Sequence, residues 1–461
     1  MRPTADLVIR GAIVVSNGAY ARDVLIRDGR VMALVEPGAA AAAEQIAADG
    51  LLALPGVVDA HVHFNDPGRA EWEGWERGSR GAAAGGVTTV LDMPLNSLPP
   101  VTTGAAFDAK RAAGERGSLV DFALWGGLVD ADPAPLRDLA ARGAVGAKAF
   151  LCDSGVPEFP MLPDDALVPA LRAATAAGLL VAVHAEDAAL LREATDRVRA
   201  SGRTDAGTWA LSRPALAEIR SVARACAAAR EARSRLHVVH LSAAGALGAI
   251  GAARDAGLDV SVETCPHYLL FDDRDIARLG PLLKCAPPIR DAENREALWR
   301  ALSEGRIDLV ASDHSPCPAA DKVRGRDDIF AAWGGVVGVQ SLLPALLSEA
   351  LRRGRAALDV RRIAGFAAWR LSTKPAQRFG LWPRKGAIAA GADADIVLVD
   401  PEREWTLEPA AVQTRCGLTP YAGRTFTGAV VRTLVRGTTV YLDGDFPAGP
   451  GHGRFVPASA A

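Results

Sequence analysis

The feature that most restricts the fold of this chain is a rhythm. Between residues 56 and 380 an apolar run of about five to eight residues keeps returning, each time followed by an Ala-, Arg- and Glu-rich stretch of helical character. The runs lie at 56–61, 87–91, 120–125, 144–150, 179–184, 236–240, 259–263 and 307–313. Short runs that are apolar throughout suit strands buried on both faces, as in a parallel sheet with helical crossovers. Eight successive strand–helix units predict a (β/α)8 barrel with insertions. A doubly wound open sheet is the other arrangement, but no glycine-rich phosphate loop supports it.

The two ends read differently. Leu7-Val8-Ile9 and Ile13-Val14-Val15 look like short strands before Asn17-Gly18. Val24-Leu25-Ile26 precedes Asp28-Gly29, and Val31 to Val35 follows. Asn-Gly and Asp-Gly favour tight hairpins because both residues tolerate positive φ. Near the other end a strand is expected over 394–399, and runs at 430–435 and 438–442 flank a glycine turn, with Asp443-Gly444 closing the second. Two β-rich ends can build one small β-domain together, since chain termini often lie close.

Long connections follow the fourth, fifth and eighth runs: 152–165, 201–218 with Trp209-Ala-Leu-Ser-Arg-Pro214, and 315–335. In a barrel such loops carry the active site, which makes them lid or pocket candidates. The formal charge of −2 and the absence of a basic run give no reason to expect nucleic acid or an anionic membrane as partner. The six cysteines are scattered without a C-x-x-C, which fits reduced thiols in a cytoplasm. The N-terminus, Met1-Arg-Pro-Thr, runs straight into strand-like sequence without a signal-peptide core, and no apolar stretch is long enough to span a bilayer.

Histidine placement is the chemical signal. Of eight histidines, His61, His63, His184, His237 and His240 sit at or beside the end of a predicted strand, and His314 follows the eighth. Residues two apart on a strand share a face, so His61 and His63 leave one strand side by side. His184, His240 and Asp313 each end another run. Barrel enzymes gather their chemistry at this rim, so distant positions become neighbours. Imidazole and carboxylate donors suit zinc and related divalent metals. His237, three residues before His240, is expected to face the other way as a structural or surface residue. His267 is expected behind the ligands or against substrate. His314 is expected to point away from Asp313, and His452, in a Gly/Pro-rich tail, to be solvated. Lys148 interrupts an almost wholly apolar run, Gly143-Ala-Val-Gly-Ala-Lys-Ala-Phe-Leu. A buried ammonium must lose its charge or find a partner. It either reaches the rim or a carboxylate, or, as a neutral amine beside two metal ions, captures CO2 as a carbamate.

With these residues in hand the chain resembles the cyclic amidohydrolases: dihydroorotase, dihydropyrimidinase/hydantoinase and allantoinase. The resemblance rests on His61/His63, Lys148, His184, His240 and Asp313, on Gly86-Val-Thr-Thr and Cys265-Pro-His-Tyr, and on the closing segment Gly386 to Asp395. It runs over nearly the whole chain. It implies an α/β fold with a TIM barrel at 56–380, a small composite β-sandwich domain from 1–55 and 381–447, and a C-terminal tail at 448–461. It also implies a binuclear centre, with His61, His63 and Asp313 on one metal, His184 and His240 on the other, and Lys148 bridging as N6-carboxylysine. Two divalent ions are expected, zinc first with Co, Mn or Fe as alternatives, and CO2 as the lysine carbamate. Asp313 is implied as acid/base in hydrolysis of a cyclic amide of a small molecule. A cytoplasmic homotetramer is implied as well.

Within the family, several segments resemble the allantoinase branch: Pro67 to Trp75, Asp92 to Ser97, Ser154 to Pro160, Lys284 to Arg290 and Ser312 to Cys317. That implies opening of allantoin to allantoate. Asn65 stands where dihydroorotases carry an arginine for the substrate carboxylate, and losing that guanidinium disfavours a carboxylate substrate. Asp153 stands where hydantoinases carry a tyrosine, and Ala286 where relatives often have serine. Asn65, Asn96, Ala286, Ser315 and Gly334 are the expected substrate contacts. Hydantoinase/dihydropyrimidinase is the alternative activity, then dihydroorotase. A non-catalytic scaffold of this fold is expected to lack ligands, and here all six positions are filled.

Overall fold

A computed structural model describes residues 5–16, 18–354 and 359–459. Each of the eight predicted runs overlaps a parallel strand: Val57–Val62, Val87–Asp92, Asp121–Leu124, Ala147–Phe150, Val181–His184, Leu236–Val238, Val260–Thr264 and Leu309–Val310. Their buried residues explain the continuous apolar runs, because helices cover the outside and side chains fill the inside. Neighbours pair in chain order, with Gly126–Gly127 extending the third strand onto the fourth. The circle closes where the His63 N–H donates to the His314 carbonyl at 2.8 Å, beside a parallel bridge between Val62 and His314.

Alternation along the strands sets which side chains enter the barrel. Ala147 and Ala149 belong to the layer between sheet and helices, as do Val181 and Val183. Lys148, Ala182 and His184, on the alternate face, turn inwards. A separate cluster containing Val58, Ala60, Leu91, Ala123, Trp125, Ala182 and Leu309 fills the interior below the site, with Phe379 stacked edge-on against Trp125. The crossover helices start where the sequence offers caps. Asp132 caps Pro133–Ala141, Asp187 caps Ala188–Ala200, and Asp291 caps Ala292–Ser303, each accepting from a backbone N–H of the first turn.

The two chain ends join in one mixed sheet that forms the β-sandwich domain. Its order is Thr438–Leu442, Thr425–Val435, Ile396–Thr406, Leu52–Pro55, Ala5–Val15, Ala19–Arg27 and Arg30–Val35, with Ala42–Ala47 also pairing with Ala5–Val15. Ile9, Val24, Ile26, Ile396, Leu398 and Leu434 form its core. The turn at Asp28-Gly29 has both φ positive, as does Arg436-Gly437. Three expectations change here. The two short strands before residue 16 are one strand, Ala5–Val15, with an irregularity between Ile9 and Ala12, where Gly11 takes a positive φ and its N–H reaches Asp23. The strand expected at 394–399 begins at Ile396 and runs to Thr406. Residues 449–459 pack onto the barrel: the Phe122 N–H donates to the Arg454 carbonyl at 3.0 Å, and Val456 N–H to the Phe122 carbonyl at 2.8 Å. His452 is therefore half-buried between Arg436 and the Val435 carbonyl, not solvated. Met1 to Thr4, and the Asn17 of the first expected hairpin, lie outside the described residues. No helix among the described residues is long and apolar enough to cross a membrane.

Candidate metal centre

The strand ends converge as alternation requires. The Nε2 atoms of His61 and His63 lie 3.4 and 3.7 Å from Asp313 Oδ1, and one donor atom from each of the three lies within 4.8 Å of the others. Beside them His184 Nδ1 is 3.0 Å from His240 Nε2. The His61 and His240 rings, 5.4 Å apart, join the two groups. Lys148 reaches the same cavity with its Nζ buried and, among the described residues, without a hydrogen-bond partner. His240 and Asp313 hold positive φ values of 37° and 45°. Such conformations cost energy in non-glycine residues and concentrate at functional sites.

Each histidine group has a carboxylate behind it. Glu263 takes His61 Nδ1 at 2.7 Å and His237 Nε2 at 3.0 Å, which leaves His61 Nε2 facing Asp313. Glu186 takes His184 Nε2 at 2.8 Å and is itself gripped by Arg213. A carboxylate on one ring nitrogen fixes the tautomer and aims the other nitrogen. Asp59 accepts N–H bonds from His61 and Ser312, tying the first strand to the eighth just below the ligands.

The electrostatics favour a divalent cation. Burial pushes the His63 and His240 imidazoles well below the usual histidine range, and His184 down to about 4 against the pull of Glu186. All three are neutral donors at physiological pH, as metal ligation demands. Burial brings the Lys148 amine down to about 8, opposed by Glu263 and Asp313. Burial raises the Asp313 carboxyl, opposed by His61. Although burial works against it, Arg213 and His184 hold the Glu186 carboxyl at about 2. Neutral imidazoles, a carboxylate and an unpartnered amine are a donor set that fits the metal pair.

Two further triads, Cys152/His184/Glu186 and Cys265/His267/Asp313, are close enough to share an ion. Their thiols argue against it. Burial lifts Cys152 to about 12 and Cys265 well above its ordinary value, whereas a thiolate is the metal ligand. His267 is buried with neither ring nitrogen bonded, and burial lowers it to about 3.

The cavity above the cluster measures about 620 Å³ and is lined by Asn96, Ala286, Ser315 and Gly334. Asn65 is the exception and corrects the expectation for it. A φ of 63° turns it behind the wall, where its amide donates to the Pro316 carbonyl at 3.2 Å. His237 is fully buried beneath His61 rather than at the surface. His314 packs edge-on against Phe64, away from the cavity. Glu186, Glu263, Asp59 and Arg213 were not anticipated from the sequence. Glu263 ends the seventh run, so the strand-end rule that singled out the histidines also points to it. Glu186 follows His184 by two. Nothing local marks Arg213.

Comparison with known proteins agrees with this geometry. The model of the amidohydrolase family matches residues 52–440. The chain is 45% identical to an allantoinase of Rubrobacter xylanophilus over 451 residues, covering 98% of this chain and 97% of that protein. It is 47% identical to an allantoinase of Solibacter usitatus over 439 residues, covering 95% and 94%. An L-hydantoinase (dihydropyrimidinase) structure from Arthrobacter aurescens superposes with a TM-score of 0.94 at 33% identity, covering 98% of this chain and all of that one.

Proposed function

This chain belongs to the amidohydrolase family, and from that premise we propose that it opens the ring of allantoin to allantoate by hydrolysing a cyclic amide C–N bond. The observation that carries the reading is the pairing of His61/His63/Asp313 with His184/His240 around an unpartnered, buried Lys148 at the floor of one cavity. In this reading His61, His63 and Asp313 would hold one ion and His184 and His240 the other, with Lys148, as its carbamate, a ligand to both. Zinc is the favoured metal, and Co, Mn or Fe satisfy the same donors. Ions held there would supply Lewis acidity for a scissile carbonyl and would lower the pKa of water.

The chain's own residues do the rest. Asp313 takes a proton from the attacking water on a carboxylate oxygen and passes it to the departing ring nitrogen. Burial raises its carboxyl above the ordinary value, which favours proton uptake. Glu263 and Glu186 keep the histidines in register. Asn96, Ala286, Ser315 and Gly334 supply the wall against which the ring rests.

The likeness to allantoinases supports this substrate, and the hydantoinase-like structure keeps hydantoin and dihydropyrimidine hydrolysis as the second reading. The decisive experiment assays the purified, metal-analysed protein against allantoin, hydantoin, dihydrouracil and dihydroorotate. Allantoin is expected to give the largest kcat/KM; a larger value for another substrate overturns the assignment. We also divide the chain into a composite β-domain (1–55 with 381–447), a barrel (56–380) and a tail (448–461), a division supported by the sheet order. Free cysteines support a cytoplasmic setting, and the family resemblance supports a homotetramer, which light scattering tests.

A further inference from the structure

The cavity has two chemically different sides. Its floor carries the histidines, Lys148 and Asp313, and its side wall carries Arg213, Asp153 and Trp209. Arg213 is pinned there as a fork. Its Nε donates to Glu186 Oε1 at 3.1 Å and its Nη2 to Glu186 Oε2 at 2.5 Å, with Nη2 also 3.9 Å from Cys152 Sγ. Its Nη1 donates to no group among the described residues. A guanidinium held along one edge presents the remaining donor rigidly. Asp153, the neighbour of Cys152, uses Oδ1 to accept the Gly155 N–H at 3.0 Å, and Oδ2 has no hydrogen-bond donor among the described residues. Trp209 is fixed by its Nε1 donating to the Cys285 carbonyl at 2.6 Å, and the Arg213 guanidinium lies 5.1 Å from its ring centre.

A fixed donor and a free carboxylate oxygen match a planar group with one carbonyl acceptor and several N–H donors. The scissile amide has to reach the floor, so what meets the wall is the substituent on the ring. Resting on the substrate reading above, we propose that Arg213 and Asp153 form the subsite for a ureido substituent. Arg213 Nη1 donates to the ureido carbonyl oxygen and Asp153 accepts from a ureido N–H. This subsite makes the enzyme prefer a ureido-bearing hydantoin over the bare ring. Asp153 then has a role of its own where hydantoinases are expected to carry a tyrosine.

The test uses the metal-loaded full chain and the variants R213Q, R213K and D153N. It measures KM for allantoin and the inhibition constant of hydantoin, which has the ring but no arm. Losing hydrogen bonds to a charged partner costs on the order of 10- to 100-fold in binding, so the ratio of the hydantoin constant to the allantoin KM should fall by about that factor in R213Q. A smaller fall is expected in D153N, and R213K should recover part of the loss. A purely structural role for Arg213, acting through Glu186 and His184, would weaken both ligands together and leave the ratio unchanged, which overturns the subsite. An unchanged KM for allantoin in R213Q and D153N overturns it as well. Wild-type protein that does not hydrolyse allantoin overturns the substrate reading and the subsite with it; active wild type with an invariant ratio overturns the subsite alone.

Discussion

At the scale of single residues, the site is made by burial acting on ordinary side chains. Lys148 shows the effect most plainly. In water its amine would be charged, but the barrel interior removes its hydration and provides no hydrogen-bond partner. In K148A the protein should lose both bound metal and turnover, with partial recovery when short carboxylic acids fill the gap; metal analysis beside activity reads both, and retention of metal at full rate would remove the bridging role. Asp313 is placed for proton transfer. D313N should lower kcat by about three orders of magnitude or more, as loss of a general acid–base group does, while calorimetry still detects substrate binding. Near-normal turnover would exclude Asp313 as the acid/base. The histidines and Asp313 were legible because strand ends in a barrel share a rim. Asn65 was not, since its place behind the wall follows from a positive φ that neighbouring residues do not reveal.

At the scale of elements, two of the three long connections, 201–218 and 315–335, are knitted together by a lysine. Lys284 donates to the Phe330 and Ala332 carbonyls at 3.2 and 2.5 Å and lies 4.3 Å from the centre of the Trp209 ring, without a carboxylate in ion-pair range among the described residues. Burial pushes its pKa from 10.5 down to about 8. Between pH 8 and 10.5 the unfolded chain therefore holds more protons than the folded one, so this group's contribution to stability rises with pH. K284M abolishes that dependence. The urea midpoint of wild type should gain on that of K284M as pH increases through this window, and a constant difference would contradict it. The terminal segment is a second case. Phe455 meets Phe107 and Phe122 at ring separations of 5.8 and 5.9 Å, and Val456 is buried. Deleting residues 449–461 should lower the melting temperature by several degrees, because removal of buried aromatic packing typically costs about 3–5 kcal/mol; scanning calorimetry checks it. Periodicity cannot reveal so short a pairing segment, which is why the tail reads as free in sequence.

At the scale of the molecule, barrel and β-domain are locked by a buried charge cluster. Lys385 contacts Asp121 of the third barrel strand at 2.5 Å, and Asp395 and Asp393 of the β-domain at 2.7 and 2.9 Å. Arg436 closes the cluster on Asp121. Removing one partner of such a group leaves uncompensated buried charge. K385M should therefore cost on the order of 3–5 kcal/mol, measured by denaturant unfolding, and a loss below about 1 kcal/mol would show that the cluster does not hold the halves together. The eight-fold alternation of apolar runs and helical stretches determined the barrel by itself, because strands buried on both faces must be apolar throughout and each helix must cover one crossover. The same rule placed His61, His63, His184, His240 and Asp313 at one rim, while for Lys148 it left open whether the amine reaches that rim. Only the tertiary structure decided which groups stand behind them. Glu263 and His237 are joined across 26 residues, Glu186 and Arg213 across 27, and Lys385 and Asp121 across 264, by burial and hydrogen bonding. No local pattern in a chain encodes a partner that distant.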